Sequence, residues 1–143
     1  MILLDVNILL YSTNAASSLH TPAREWLDRQ LTGSVAVGMP WVVLTGFLRL
    51  ATNPRVLSRA LPMSAAWQQV SAWLSCEIAW IPQPTERHVE VLGKLLALPA
   101  VHGNLVTDAH LATLAIEYAL TLCSTDGDFA RFPGLYWRNP LVS

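Results

Sequence analysis

Charged side chains are scarce in this sequence. Of its 143 residues only 13% are charged, whereas 52% are hydrophobic, and the formal net charge is −1. Lys94 is the single lysine, so arginine supplies nearly all of the positive charge. A chain without a basic surplus lacks the strong positive field that marks many nucleic-acid-binding proteins. The mean hydropathy of +0.37 is high for a soluble protein, which indicates that a partner covers part of the surface.

Cysteines are rare, and no long uninterrupted apolar run is present. Cys76 and Cys123 lie far apart, without the paired spacing of a zinc site, which is typical of buried thiols in a reducing compartment. The uncharged stretch 30–48 is interrupted by Gly33, Gly38 and Pro40, whereas a membrane span needs about 20 continuous, mostly apolar residues. Asp5 interrupts the apolar start, so no signal peptide is indicated. We therefore expect a soluble, cytoplasmic protein that does not bind a membrane.

Short apolar runs alternate with segments whose apolar residues have helical spacing. The predicted strands cover residues 2–4, 34–37, 77–81, 120–123 and 135–137, and the predicted helices cover 18–31, 40–51, 64–74, 85–96 and 104–118. This alternation predicts an α/β fold with a central, mainly parallel sheet flanked by helices, in one domain over residues 1–143. In such sheets ligands bind outside the carboxyl ends of the strands.

Four aspartates lie where that rule places a binding site. Asp5 follows the first predicted strand, and Asp126 and Asp128 follow the fourth. Asp108 lies early in the last predicted helix, on an apolar segment where a carboxylate is costly unless it reaches the edge of the sheet. Neighbouring carboxylates raise one another's pKa, and a divalent cation relieves the repulsion. Oxygen ligands favour Mg²⁺ or Mn²⁺ over zinc, and a metal-activated water can attack a phosphodiester.

Each of these residues also has a purely structural interpretation. Asp5 and Asn7 are residue types that cap helices. The segment 125–128 is most simply a turn, and Asp108 could interact only with the positive end of its own helix. The combination of acids after two strands with a third acid in a helix is what indicates a metal site.

Four segments resemble, in order, the motifs of the PIN-domain family, and more narrowly those of the VapC toxins of bacterial toxin–antitoxin pairs. They are Asp5-Val6-Asn7, the stretch from Pro40 to Arg49, the stretch from Thr107 to Ala112, and the stretch from Thr125 to Phe129. The likeness spans nearly the whole chain. It implies a three-layer α/β/α PIN-like fold, a magnesium-dependent endoribonuclease that cuts RNA, a VapB-type antitoxin as partner, and a homodimer.

The resemblance also assigns roles to individual residues. Asp5, Asp108 and Asp126 would be the catalytic acids and metal ligands, and Asp128 would be a fourth ligand. Asn7 and Thr125 would position ligands or water through hydrogen bonds.

One position departs from the family pattern. The family commonly has a glutamate immediately before the Phe47-Leu48-Arg49 segment, where this chain has Gly46, and no acid lies between Asp28 and Glu77. The site would then have lost an oxygen ligand, or would use water or Asp128 instead. Close packing is the other explanation for a helical glycine, which costs about 1 kcal/mol relative to alanine. An alternative function follows: a PIN-like module that binds RNA or protein without cutting.

A second alternative is a phosphohydrolase of the haloacid dehalogenase type. That chemistry usually needs a second aspartate two residues after the first, where this chain has Asn7, and a lysine near the site. The histidines suggest no further site, because His88 shows no partner at ligand spacing and His110 lies on a different helix face from Asp108.

Overall fold

The computed structural model describes residues 1–142 and contains five strands, six α-helices and one 3₁₀ turn. The strands are β1 (Ile2–Leu4), β2 (Val37–Gly38), β3 (Ala79–Trp80), β4 (Thr121–Cys123) and β5 (Tyr136–Arg138). The helices are α1 (Val6–Thr13), α2 (His20–Leu31), α3 (Trp41–Ala51), α4 (Met63–Leu74), α5 (His88–Leu96) and α6 (Leu105–Glu117), and the 3₁₀ turn spans Gly127–Arg131.

The five strands form one sheet in the order β3-β2-β1-β4-β5, and every neighbouring pair is parallel. Leu3 of the central strand β1 lies between Gly38 of β2 and Leu122 of β4. Leu3 and Leu122 are completely buried, as expected for strands covered on both faces. The predicted α/β fold with a mainly parallel sheet is therefore confirmed.

The path of the chain creates a crevice at the centre of the sheet. From β1 the chain moves to β2 and β3, and then returns past β1 to β4 and β5. Because crossovers between parallel strands are right-handed, α1–α4 lie on one face and α5 and α6 on the other. Accordingly α1 packs on α2 and α3, α3 packs on α4, and α5 packs on α6. The direction reverses between β1 and β4, so the carboxyl ends of these two strands form the crevice where ligands bind in open α/β sheets.

The helices bury the apolar faces that their spacing predicts. In α3 the buried residues are Val43, Leu44, Phe47 and Ala51. Phe47 meets the Trp73 ring of α4 edge-on, with the ring centroids 4.8 Å apart. These contacts bring α3 and α4 together on the face that also carries α1.

Helix α1 was not among the predicted helices. It spans eight residues directly after β1, and Asp5 caps its amino end. The segment is apolar over most of its length and has no distinct polar face, so periodicity does not separate it from a buried strand. Its buried residues Ile8 and Leu9 contribute to the core beneath α2 and α3.

Within residues 1–142, every helix is too short or too polar to span a bilayer.

A chain of polar contacts joins α5 to α6. The side chain of Glu117 is completely buried, and it accepts hydrogen bonds from the backbone N–H of Thr85 (3.0 Å), the Thr85 hydroxyl (2.6 Å) and Nδ1 of His88 (2.8 Å). Nε2 of His88 lies 3.0 Å from Nδ1 of His110. The sequence shows no partner for His88 at ligand spacing, and the hydrogen-bond partner that the fold supplies, His110, lies 22 positions away in the sequence.

The buried network stabilises the charged form of Glu117. Burial raises the pKa of its carboxyl, but the hydrogen bonds from His88 and Thr85 outweigh burial and hold the pKa below its usual value of 4.5. A group whose pKa is lowered in the folded state stabilises the fold above its unfolded pKa. That contribution is lost as the pH falls below 4.5 and through the lowered pKa of the folded state.

Replacing Glu117 by glutamine should therefore weaken the fold. We expect Glu117→Gln to lower the free energy of unfolding by about 2 kcal/mol near neutral pH, because it removes a charged acceptor from buried donors. The matched control is Glu90→Gln, which breaks an exposed ion pair with Lys94 at 3.2 Å, and it should change stability by less than about 0.5 kcal/mol. Urea unfolding of both variants checks this. Equal losses in the two variants would show that the network does not stabilise the fold.

Candidate metal site at the carboxyl edge of the sheet

Ser124 joins the ends of β1 and β4. Its side chain is completely buried, and its hydroxyl donates a hydrogen bond to Oδ2 of Asp5 (2.7 Å). Oγ of Ser124 in turn accepts hydrogen bonds from Nδ2 of Asn7 (3.0 Å) and from the backbone N–H of Asp126 (3.0 Å). One hydroxyl thus holds three of the predicted site residues together.

Asp5 caps a helix and also lies at the carboxyl edge of the sheet. Its Oδ1 accepts a hydrogen bond from the Val6 N–H at 2.7 Å and caps α1. Its Oδ2 accepts the hydrogen bond from Ser124, the residue that follows β4. The capping interpretation and the placement at the sheet edge are therefore both correct.

Ser124 was not among the predicted site residues, which instead included its neighbour Thr125. Leu4 pairs with Cys123 in the sheet, so the next step of the same register places Asp5 beside Ser124. The Thr125 side chain makes no hydrogen bond within residues 1–142, and its role in positioning water stays a prediction. The register between β1 and β4 is the signal that could have identified Ser124, but it depends on knowing which strands pair.

The side-chain oxygen of Asn7 has no hydrogen-bond partner within the described residues. Its Nδ2 donates to Ser124, whereas its Oδ1 is buried and has no hydrogen-bond partner within the described part of the chain. Buried acceptors without partners are rare, and one of them beside a carboxylate suggests a ligand or water that completes the site.

Asp126 and Asp128 lie in the turn that follows β4. Oδ1 of Asp126 accepts a hydrogen bond from the Asp128 N–H at 2.9 Å and caps the 3₁₀ turn, so the turn interpretation of this segment is correct. Oδ1 of Asp128 lies 2.9 Å from Nη2 of Arg131. About half of the Asp128 side chain is exposed, which places it at the rim.

Asp108 shows that the four carboxylates share one electrostatic environment. It lies in the first turn of α6. Burial raises the pKa of its carboxyl to about 6, with further increases from the negative charges of Asp5, Asp126 and Asp128, while Arg131 acts in the opposite direction. Burial also raises the pKa of Asp5; Ser124 and Val6 oppose this increase, and Asp126 adds to it.

The four aspartates do not form a closed metal cage. Between residues 1 and 142, no three carboxylate, imidazole or thiol groups are arranged so that they could hold a metal ion. Mg²⁺ usually binds proteins through one or two carboxylates and keeps several waters, so it does not need a closed cage. Carboxylates close enough to repel, with the free amide oxygen of Asn7, fit an ion that is held partly through water.

Gly46 lies in α3 beside this site. A Cβ atom at this position would lie 3.6 Å from Cγ2 of Val6, which is an ordinary van der Waals contact. Val6 directly follows Asp5, so a longer side chain at position 46 would start beside the residue that follows the first candidate carboxylate. The protein's own packing does not require a glycine here, which favours the loss of a ligand over close packing.

The PIN domain family model matches residues 2–135 of the chain. The chain belongs to the PIN-domain family. Ribonuclease VapC37 of Mycobacterium tuberculosis is 44% identical over 140 residues, which cover 98% of this chain and 97% of that protein. Ribonuclease VapC43 of the same species is 39% identical over 141 residues, which cover 99% of this chain and 96% of that protein. The predicted relationship to the VapC ribonucleases is confirmed, whereas the assignment of all of residues 1–143 to one domain stays a prediction.

Solved structures support the PIN fold. VapC20 of Mycobacterium tuberculosis, described as a sarcin-ricin loop cleaving toxin, matches with a TM-score of 0.68 at 19% identity, over 95% of this chain and 99% of that one. VapBC2 of Rickettsia felis, bound to a promoter DNA fragment, matches with a TM-score of 0.68 at 22% identity. The match covers 97% of this chain and 98% of that one. Membership in this family supports a divalent metal at the site without specifying the ion.

Removing one of the repelling carboxylates should stabilise the metal-free protein. The raised pKa of Asp108 means that the fold loses stability as the pH rises from 3.8 through about 6. In buffer with EDTA at about pH 7.5 we expect Asp108→Asn to raise the free energy of unfolding by about 1 kcal/mol, allowing for solvent screening of a half-buried group. The gain should vanish below about pH 4, where the carboxyl is protonated in both states.

Urea unfolding across this pH range measures the effect. The control is Asp28→Asn on the exposed surface of α2, which should change stability little at any pH. A loss of stability in metal-free Asp108→Asn at about pH 7.5 would contradict the proposed repulsion.

Restoring an acid at position 46 should strengthen metal binding. We expect Gly46→Glu to bind Mg²⁺ about tenfold more tightly, because it adds a charged oxygen ligand. The control is Gly46→Gln, which gains helix propensity but no charge. Calorimetric titration of Mg²⁺ into the parent and both variants decides the question. Unchanged or weaker binding in Gly46→Glu would show that ligand loss does not explain the glycine.

Proposed function

We propose that this PIN-domain protein is a metal-dependent endoribonuclease in which Asp5, Asp108 and Asp126 hold Mg²⁺, partly through bound water, with Mn²⁺ as an alternative ion. Asp128 adds a fourth carboxylate at the rim. The observation that carries the proposal is the buried Ser124 hydroxyl, which holds Asp5, Asn7 and the backbone of Asp126 together at the carboxyl ends of β1 and β4. Burial and the neighbouring acids raise the pKa of Asp108 to about 6, and repulsion between carboxylates is costly in a folded protein unless a cation offsets it.

In this proposal each residue of the site has its own role in the cleavage of RNA. A bound divalent ion supplies an activated water and offsets the charge that develops on the phosphate. Ser124 fixes the direction of the Asp5 carboxylate through its 2.7 Å hydrogen bond. Oδ1 of Asn7, which has no hydrogen-bond partner within the described residues, accepts a hydrogen bond from water in this proposal. Thr125, two residues after β4, is the second polar group that orients the water. Attack by water on phosphorus breaks one P–O bond, and the RNA leaves as two fragments.

A binding module without nuclease activity is the second candidate function. Gly46 favours it, because the site has one acid fewer than the family pattern. Such a protein would bind RNA or another protein through the same surface without cutting, and a test for cleavage separates the two functions.

The protein's partners are proposals of the same kind. We propose RNA as the substrate, a VapB-type antitoxin and a second copy of the chain as protein partners, and the cytoplasm as the location. One support is that a fold relative was solved as a toxin–antitoxin complex from Klebsiella pneumoniae. Another is the exposure of large apolar side chains: Trp41, Met63 and Trp67 of α3 and α4 are 42%, 55% and 49% exposed. A groove of about 320 Å³ between α1, α2 and α4, with Leu27 and Trp73 in its wall, has room for one or two side chains of an antitoxin segment.

Replacing Asp5 tests the proposed activity. We expect Asp5→Asn to fold but to cut RNA at least about 100-fold more slowly in Mg²⁺, because the variant loses a charged metal ligand. Asp28→Asn should cut like the parent, and EDTA should stop the parent. Total cellular RNA is the substrate, with new 5′ ends mapped by sequencing. Parent-like cutting by Asp5→Asn would contradict the site, and a parent that cuts no RNA would favour the binding module.

A further inference from the structure

Arg131 is the one cation that acts on Asp108 within the described residues. It ends the 3₁₀ turn that Asp126 caps. Its Nη2 donates to Oδ1 of Asp128 at 2.9 Å, and its Nε donates to the backbone oxygen of the same residue at 3.1 Å. The guanidinium is therefore tied at two points to one residue and has a fixed direction.

The outer edge of this guanidinium remains available. Its other N–H groups make no hydrogen bond to residues 1–142. One third of the side chain is exposed to solvent. Arginine presents its N–H groups as a planar fork whose geometry matches two oxygens of a phosphate.

This contact differs from an ordinary surface ion pair. The pair between Lys94 and Glu90 has side chains that are 74% and 69% exposed, and it is held by one contact of 3.2 Å. Arg131 and Asp128 are less exposed and share two contacts. Exposed pairs contribute little to stability, so a pair held this firmly at the rim of a metal site calls for another role.

The negative charge of the site indicates what this role of Arg131 is. Four carboxylates and one divalent ion leave an excess of negative charge, which repels a phosphodiester. A cation at the rim, on the side of Asp108, offsets this repulsion without competing for the metal.

We propose that Arg131 binds the non-bridging oxygens of an RNA phosphate at the rim of the acidic site, and that Asp128 is the residue that positions it. The inference rests on the proposed nuclease function, because that function brings the RNA backbone to this edge. In this account Asp128 acts mainly through Arg131, and its free Oδ2 remains the oxygen that could reach the metal.

RNA binding tests the proposal independently of cleavage. The probe is a fluorescent single-stranded RNA of randomised sequence, titrated in Mg²⁺ against protein carrying Asp5→Asn, so that cutting does not disturb the measurement. Adding Arg131→Ala should weaken binding about tenfold and reduce the slope of log K against log salt by about 1, the loss expected for one phosphate contact. Arg131→Lys should keep the salt slope but bind more weakly than arginine.

The companion variants separate positioning from structure. Asp128→Asn should weaken RNA binding about threefold, because the guanidinium loses its charged anchor, while Arg131→Ala should leave the Mg²⁺ affinity of the free protein unreduced. The control is Arg87→Ala, an exposed arginine at the start of α5. Its neighbour His88 contacts Glu117 at the end of α6, which leads into the amino end of β4, so neither RNA binding nor the salt slope should change.

The binding results distinguish a failure of the Arg131 contact from a failure of the nuclease proposal. An Arg131→Ala variant with the parental affinity and salt slope would overturn the inference, as would a weakened Mg²⁺ affinity in that variant. A parent that binds RNA through Arg131 but never cuts it would support this contact and overturn the nuclease proposal instead.

Discussion

The hydrogen bond between Ser124 and Asp5 connects the two strands between which the sheet changes direction. The two residues are 119 positions apart in the sequence, and the bond is buried. Two further contacts fix the backbone of Ser124: its N–H donates to the Arg138 oxygen at 3.1 Å, and its carbonyl accepts from Nε1 of Trp137 at 3.1 Å. The edge strand β5 therefore holds β4 in place, and β4 holds the first carboxylate of the site. The direction of Asp5, the start of α1 and the position of Asn7 all depend on this one hydroxyl.

The same arrangement places repulsion inside the fold. Asp108 is half-buried, and its pKa of about 6 records the work needed to ionise it near three other acids. A protein selected only for stability would not gather these groups, and a binding site for a cation explains why they are together. Gly46 adds no charge to this group, whereas a glutamate there would start beside Val6, the residue that follows Asp5. Compared with the family pattern, this chain therefore attracts a metal ion less strongly. Its carboxylates also repel one another less when no metal is bound.

Sequence patterns predicted the features that depend on neighbours along the chain. The apolar spacing identified α2, α3 and α6, and the apolar runs identified β1 and β4, which placed Asp5 and Asp126 at one sheet edge. Features that depend on pairing between distant segments were not predicted. Ser124 requires the register of β1 against β4, and the contact of His88 with His110 requires the packing of α5 on α6. Helix α1 has too little contrast between its faces for periodicity to reveal it.

The central claim is that a divalent cation relieves the repulsion between these carboxylates. The most direct measurement is an NMR titration of the Asp108 side-chain carboxyl, with and without saturating Mg²⁺. Our account predicts a pKa near 6 in the metal-free protein. Saturating Mg²⁺ should bring the pKa below the ordinary value of about 4, because a bound cation favours the ionised form. A pKa near the ordinary value that does not respond to Mg²⁺ would contradict the account.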